Sequence, residues 1–168
     1  MEIRLSRKED LEEIMAIYEH ARQFMREHDN PRQWSAYGWP PQELIEKDIE
    51  EHKGYVAVEN GDIAAVFFYD EGRSVEPTYE VIEGGKWIGD EDYAVVHRIA
   101  SSGKYKGAGS FCIRWACEKS GHLRMDTHED NYVMQNCLKK LGFEYCGIIY
   151  VRTDHDPRLA YEWIREGK

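Results

Sequence analysis

The chain has 168 residues, of which 42% are hydrophobic and 12% aromatic, enough for one sizeable core and too few for two comfortable ones. A formal charge of −10 opposes the phosphate-driven part of nucleic-acid binding, and no dense basic run offsets it. No apolar stretch approaches the roughly 20 residues that span a bilayer, and the start, "MEIRLSRKEDLEE", has no long apolar signal region. The expectation is a single domain over residues 1–168, cytoplasmic, with neither nucleic acid nor membrane as partner.

"EIRLS" alternates like a short strand, and "SRKE" follows as a capping box, with Ser6 as N-cap and Glu9 three residues on. Leu11, Ile14, Met15, Tyr18 and Met25 then recur at helical spacing up to about Arg26. "HDNPRQWSAYGWPP" breaks this helix. Pro40 and Pro41 suit a first turn, and Leu44, Ile45 and Ile49 mark the buried face of a second helix ending before Gly54. "YVAVE", "NG" and "IAAVFFY" read as strand, two-residue turn and strand.

Residues 70 to 92 are polar and glycine-containing, a loop with room for a short helix, anchored by Trp87 and Ile88. A strand from Tyr93 to Ala100 leads into "SGKYKGAGS" and a helix to Lys119, stopped by Gly121. "LRMDT" is the next strand. Asp130 or Asn131 caps a helix whose buried face is Val133, Met134, Cys137, Leu138 and Leu141, and Gly142 ends it before Phe143. "FEYCGIIYVR" and "RLAYEWI" are two strands joined by the turn "TDHDP". The fold class is α/β (α+β).

A strand that enters a glycine-bearing turn opening a helix leaves backbone N–H groups at the positive end of the helix dipole, which makes an anion site. Gly107 and Gly109 allow close approach, Lys104 and Lys106 supply charge and Ser110 a hydroxyl. A plain helix start with solvent-facing lysines is the alternative. Other phosphate motifs fit poorly, because a Walker loop ends in Gly-Lys-Ser/Thr whereas here the lysines precede the glycines, and the third dinucleotide glycine falls on Cys112.

"KYKGAG" resembles the Arg/Gln-x-x-Gly-x-Gly/Ala turn of the GNAT superfamily of N-acetyltransferases, with Lys104 in place of the usual Arg or Gln. "NYVMQNCLKKLGFE" resembles the family's second motif, an Asn-led helix ending in Leu-Gly-Phe. The resemblance implies a mixed central sheet of about six to seven strands, flanked by about four helices, with a splayed strand pair at its centre. It implies acetyl-coenzyme A as co-substrate, its pyrophosphate held by the Lys104, Tyr105, Lys106, Gly107, Ala108, Gly109, Ser110 turn and its pantetheine arm by the Ile99, Ala100, Ser101 edge. Asn131 matches a position near the cofactor, or is an ordinary cap. The family's usual tyrosine acid falls on Leu138, which has no proton to give.

Acetyl transfer to an amine needs a base, and His97, on the strand leading to the turn, is the first candidate. Asp126 and His128 come second, and Tyr145 and Tyr150 are either distant acids or packing residues of their strands. "MDTHEDN" invites a metal reading, but adjacent acids at a strand-to-helix junction cannot all converge on one ion, and no metal is expected. Cys112, Cys117, Cys137 and Cys146 lie in apolar periodic segments and suit reduced, buried thiols, with no constellation for an acyl-enzyme. Trp34, Tyr37, Trp39 and Trp87 either clamp an amine-bearing acceptor or plug the edge of the core. Three functions stand: an N-acetyltransferase acting directly on a primary amine of a small molecule or peptide, a catalytically weak coenzyme A-binding sensor, and a non-enzymatic interaction domain. A homodimer is compatible with each.

Overall fold

A computed structural model describes residues 1–30, 34, 38–151 and 156–166. In chain order the elements are β1 (Glu2–Leu5), α1 (Leu11–Glu27), α2 (Gln42–Glu50), β2 (Gly54–Glu59), β3 (Asp62–Gly72), β4 (Tyr93–Ser101), α3 (Ala108–Ser120), β5 (His122–His128), α4 (Tyr132–Lys140), β6 (Glu144–Tyr150) and β7 (Pro157–Ile164). The strands hydrogen-bond as one seven-stranded mixed sheet in the order β1-β2-β3-β4-β5-β7-β6. Seven strands and four α-helices among the described residues match the expected α/β architecture.

The chain forms two compact units, one of residues 1–69 and 97–113, the other of residues 70–96 and 114–168. In the first, β1 and β3 flank β2 in antiparallel ladders, and the β2–β3 hairpin turns at Asn60 and Gly61, both with positive φ (53° and 82°). That pair of left-handed residues matches the right-handed twist of the strands it joins. The apolar stripe of α1 (Ile14, Ile17, Tyr18) packs with Ile45 and Ile49 of α2 and with Val56, Ile63 and Val66 of the hairpin. Trp34 joins this core, its ring 5.8 Å from that of Tyr18 in an edge contact, which gives it a packing role. Tyr37 lies outside the described residues.

Helix α1 starts later than its capping box predicts. Ser6 is buried and donates its N–H to the Gly54 carbonyl (2.9 Å), so it is committed to the hairpin instead of the helix. The reciprocal bond forms one residue on, from the Arg7 N–H to the Asp10 carboxylate (2.8 Å), over a short 3-10 turn at 8–10. Arg4 also pairs with Asp10, at 2.8 Å.

In the second unit β5, β7 and β6 form an antiparallel ladder set, and β4 joins β5 in parallel through Ala94 opposite Leu123 and Val95 opposite Arg124. Helix α4 is capped by Asn131, whose Oδ1 accepts the Met134 N–H (3.1 Å), and it ends at Gly142 with φ of 91°. Of the expected apolar face Leu138 alone is fully buried, while Val133 is 52% exposed. The segment from 73 to 92 carries a single 3-10 turn, Pro77–Tyr79, yet its backbone is tightly held by the strands. Glu162 of β7 accepts the Ile88 N–H (2.6 Å), Glu83 bridges Ile148 of β6, and a Cβ on Gly85 would fall 2.0 Å from the Cys146 carbonyl oxygen. Ile88 anchors through its amide, its side chain being 56% exposed. No helix among the described residues is long and apolar enough to cross a membrane.

Candidate functional site

The site is built on the first unit, where β4 runs into the glycine turn and α3. The Ser102 N–H donates to the Ala64 carbonyl of β3 (2.9 Å), which fixes the end of the strand. Gly103 follows with φ of 82°, and a Cβ there would fall 2.8 Å from Nε2 of His20 on α1. The left-handed backbone favours glycine at this point, whereas the exposed His20 ring could swing aside from a side chain. The Lys104 N–H closes the turn on Ser102 Oγ (3.2 Å), leaving the Lys104 and Lys106 side chains exposed. Tyr105 donates its hydroxyl to the Asp62 carboxylate of β3 (2.8 Å), which raises the phenol's pKa, so its hydroxyl pins the turn to the hairpin.

Gly107 has φ of 81°, and neither it nor Gly109 has any atom within 4 Å of where a Cβ would sit. The first bond of α3 runs from the Phe111 N–H to the Gly107 carbonyl (3.0 Å), so the amides of Ala108, Gly109 and Ser110 precede the helical ladder. At this helix start the two glycines leave open space in which an added Cβ would meet no part of the protein, and the exposed Lys104 and Lys106 precede it in the chain. A glycine-opened helix start of this kind suits an anionic group such as a phosphate. Ala108 is buried and seats the helix, with Cys112, Ile113 and Ala116 continuing its buried stripe.

Upstream, β4 carries the other candidates. His97 is half-buried and stacks on Phe68 of β3, ring centroids 5.8 Å apart and planes 22° from parallel. Ile99 is half-buried, Ala100 buried and Ser101 exposed. Between His97 and Ile99 stands a residue absent from the sequence reading. Arg98 has φ of 51° inside a strand; its carbonyl accepts the Tyr18 hydroxyl (2.6 Å), and Nε and Nη2 reach the two carboxylate oxygens of Asp48 at 3.1 and 2.9 Å.

The second unit holds the remaining candidates except Trp39, and each has an internal partner. Asp126 accepts the hydroxyl of buried Tyr79 (2.5 Å), whose pKa is raised by burial and by that carboxylate. His128 is 1% exposed and its Nδ1 accepts the Asp130 N–H (3.0 Å), which places the proton of the neutral ring on Nε2. Tyr150 donates to Glu83 (3.0 Å), and Tyr145 packs edge-on against Tyr161. Trp87 donates to the Tyr79 carbonyl (2.7 Å) and lies 4.3 Å from the Arg124 guanidinium, an internal clamp. Trp39 accepts from Arg22 through its carbonyl (3.1 Å) and packs on the first unit's core. Among the described residues no group of three or more His, Cys, Asp or Glu side chains is arranged to hold a metal ion.

The cysteines are free thiols. Burial pushes Cys112 and Cys117 up to about 12 and Cys146 up to about 11, far from the thiolate a nucleophile needs.

No family model matches the chain, and no curated protein matches it in sequence. Among solved structures it is similar to a GNAT-family acetyltransferase from Streptococcus agalactiae, at 34% identity over 98% of this chain and 95% of that one, with a TM-score of 0.88. The chain belongs to the GNAT family of acetyltransferases. The fold alone is shared with an N-acetyltransferase from Staphylococcus aureus (21% identity, 97% of each chain, TM-score 0.61). It is likewise shared with a ribosomal-protein-alanine N-acetyltransferase from Brucella melitensis (17% identity, 98% of this chain and 99% of that one, TM-score 0.65).

Proposed function

We propose that residues 1–168 act as one acetyltransferase domain, moving an acetyl group from acetyl-coenzyme A directly to a primary amine of a small molecule or peptide. The observation that carries this reading is the open space beside Gly107 and Gly109 at the start of α3, where an added Cβ would meet no part of the protein. The amides of Ala108, Gly109 and Ser110 bind the pyrophosphate, Lys104 and Lys106 add charge at its rim, and Tyr105 supports the turn through Asp62. The pantetheine arm pairs with the backbone of Ile99, Ala100 and Ser101. Asn131 serves first as the cap of α4.

His97 takes the proton from the acceptor's ammonium; the neutral nitrogen attacks the thioester carbonyl, the C–S bond breaks, the coenzyme A thiolate leaves, and the nitrogen gives up a second proton to solvent as the amide forms. Leu138, fully buried, cannot return a proton to that thiolate, so water does. The high thiol pKa values favour direct transfer over a cysteinyl acyl-enzyme. A charge of −10 favours a cationic acceptor. Four free thiols suit a reducing compartment such as the cytosol.

Incubation with acetyl-coenzyme A and a broad panel of primary amines, followed by release of free thiol, tests the reading. Turnover with at least one amine is the expected result. Coenzyme A binding with no turnover on any amine would instead favour the sensor, which the buried Leu138 motivates.

A further inference from the structure

We propose that Tyr18 and Asp48 are positioning residues: they hold Arg98 in its left-handed conformation and so set the aim of His97 on one side and of the Ile99–Ser101 edge on the other. The proposal rests on the acyl-coenzyme A reading above.

A non-glycine residue with positive φ costs on the order of 1–2 kcal/mol, and one inside a strand persists only where its surroundings over-determine it. Arg98 is held at three points. Its carbonyl accepts the Tyr18 hydroxyl at 2.6 Å, Asp48 takes Nε and Nη2 in a two-pronged pair, and its guanidinium lies 4.4 Å from the centre of the Phe68 ring. The pair is well shielded, with side chains 13% and 8% exposed. Burial raises the Tyr18 phenol, which keeps it a donor throughout the working range of pH.

A glycine would adopt this φ without any lock. The chain instead buries a carboxylate on α2, and burial pushes the Asp48 carboxyl up against the attraction of Arg98. A buried ion pair contributes little net stability and is better suited to fixing one arrangement among several. The arrangement fixed here is the pleat of β4. In a regular strand residues 97 and 99 share a face, and a left-handed residue between them breaks that alternation. Phe68 completes the connection, since the ring under the Arg98 guanidinium is the ring on which His97 stacks.

The test uses full-length Tyr18→Phe, Asp48→Asn and the double variant Asp48→Asn/Arg98→Gly, with coenzyme A titrated calorimetrically and turnover measured on the best amine of the panel. Tyr18→Phe keeps the ring and removes one hydrogen bond; kcat should fall about five- to tenfold with acceptor KM unchanged. Asp48→Asn leaves a buried cation unpaired and should lose more. The double variant removes both charges and lets glycine take the positive φ unaided, so it should recover coenzyme A affinity and most of kcat relative to Asp48→Asn. That rescue has no counterpart if the lock serves stability alone. Folded Tyr18→Phe protein with wild-type kcat and coenzyme A affinity would overturn the proposal, as would a folded double variant no better than Asp48→Asn. If the wild-type protein binds no coenzyme A, the functional reading falls instead. The lock is then judged by hydrogen exchange at the Ile99 and Ala100 amides, which Tyr18→Phe should accelerate and which would overturn the lock if unchanged.

Discussion

Glu162 and Arg124, opposite each other on β7 and β5, form a buried pair: the guanidinium Nε donates to the carboxylate at 2.8 Å, and the Glu162 side chain has no exposed surface. The carboxylate also meets His122 Nε2 at 2.6 Å and accepts the Ile88 N–H, while the guanidinium lies over the Trp87 and Tyr93 rings at 4.3 and 4.2 Å. Burial by itself raises the Glu162 pKa, but the bonds from His122, Arg124 and Ile88 outweigh it and hold the group below its ordinary value of 4.5. A carboxyl with a depressed folded pKa stabilises the fold above its unfolded value, and that stability is lost as pH falls through the folded one. Urea titrations should therefore show stability dropping below about pH 4.5, and Glu162→Gln should flatten that drop. At neutral pH the same substitution, which leaves Arg124 buried without its anion, should cost about 3–5 kcal/mol.

The same network explains why the segment from 73 to 92 was opaque in the sequence. Its order comes from partners far along the chain, Glu162 and Ile148, and nothing local announces them. A signal was present in "HLRMDTH", where His122, Arg124, Asp126 and His128 occupy every second position of a strand and Arg158 and Glu162 lie on its partner β7. The hairpin at Asn60–Gly61, the glycine turn and the Gly142 stop were legible because their causes are local, a positive φ or a helix end encoded in neighbouring residues. Arg98 had no such mark. Its left-handed φ depends on Tyr18, eighty positions away, and on Asp48, which reads in sequence as one more polar residue of α2. Ser6 and Glu9 formed a sound capping pattern that lost to the Ser6 bond with Gly54, a contact made only once the hairpin is in place. Val133 fits the helical stripe by spacing but faces solvent because α4 buries a narrower strip centred on Leu138.

The thiols give a chemical prediction. Alkylation depends on the thiolate, and burial holds Cys112, Cys117 and Cys146 at about 12, 12 and 11. Iodoacetamide at neutral pH should leave these three unmodified in the folded protein by mass spectrometry, with acetyl transfer retained. Rapid labelling of any of them, accompanied by loss of turnover, would reopen the acyl-enzyme route.

His97→Gln should lower turnover by about 10²-fold near neutral pH, the usual scale for loss of a general base. The deficit should shrink as pH rises, since more of the acceptor amine is then already neutral. Coenzyme A affinity should remain near wild type because the turn at 103–110 is untouched. A pH–rate profile from 6 to 9 on both proteins checks this, and wild-type turnover throughout would make the Phe68-stacked imidazole a packing group.

The glycine cradle itself is tested most directly by calorimetric titration of coenzyme A into wild-type, Gly107→Val and Gly109→Ala proteins. No protein atom lies within 4 Å of a Cβ at either position, and of the two only Gly107 carries a positive φ, 81°. Gly107→Val should thus lose about 1–2 kcal/mol of stability to backbone strain alone, whereas Gly109→Ala, in the first turn of α3, should fold as well as wild type or slightly better. Both added side chains point into the space assigned to the pyrophosphate, so both variants should bind coenzyme A at least about tenfold more weakly, the equivalent of one lost charge-assisted contact. Affinity falling while the stability of Gly109→Ala holds is the result predicted. Wild-type affinity in folded Gly107→Val and Gly109→Ala would contradict the cradle.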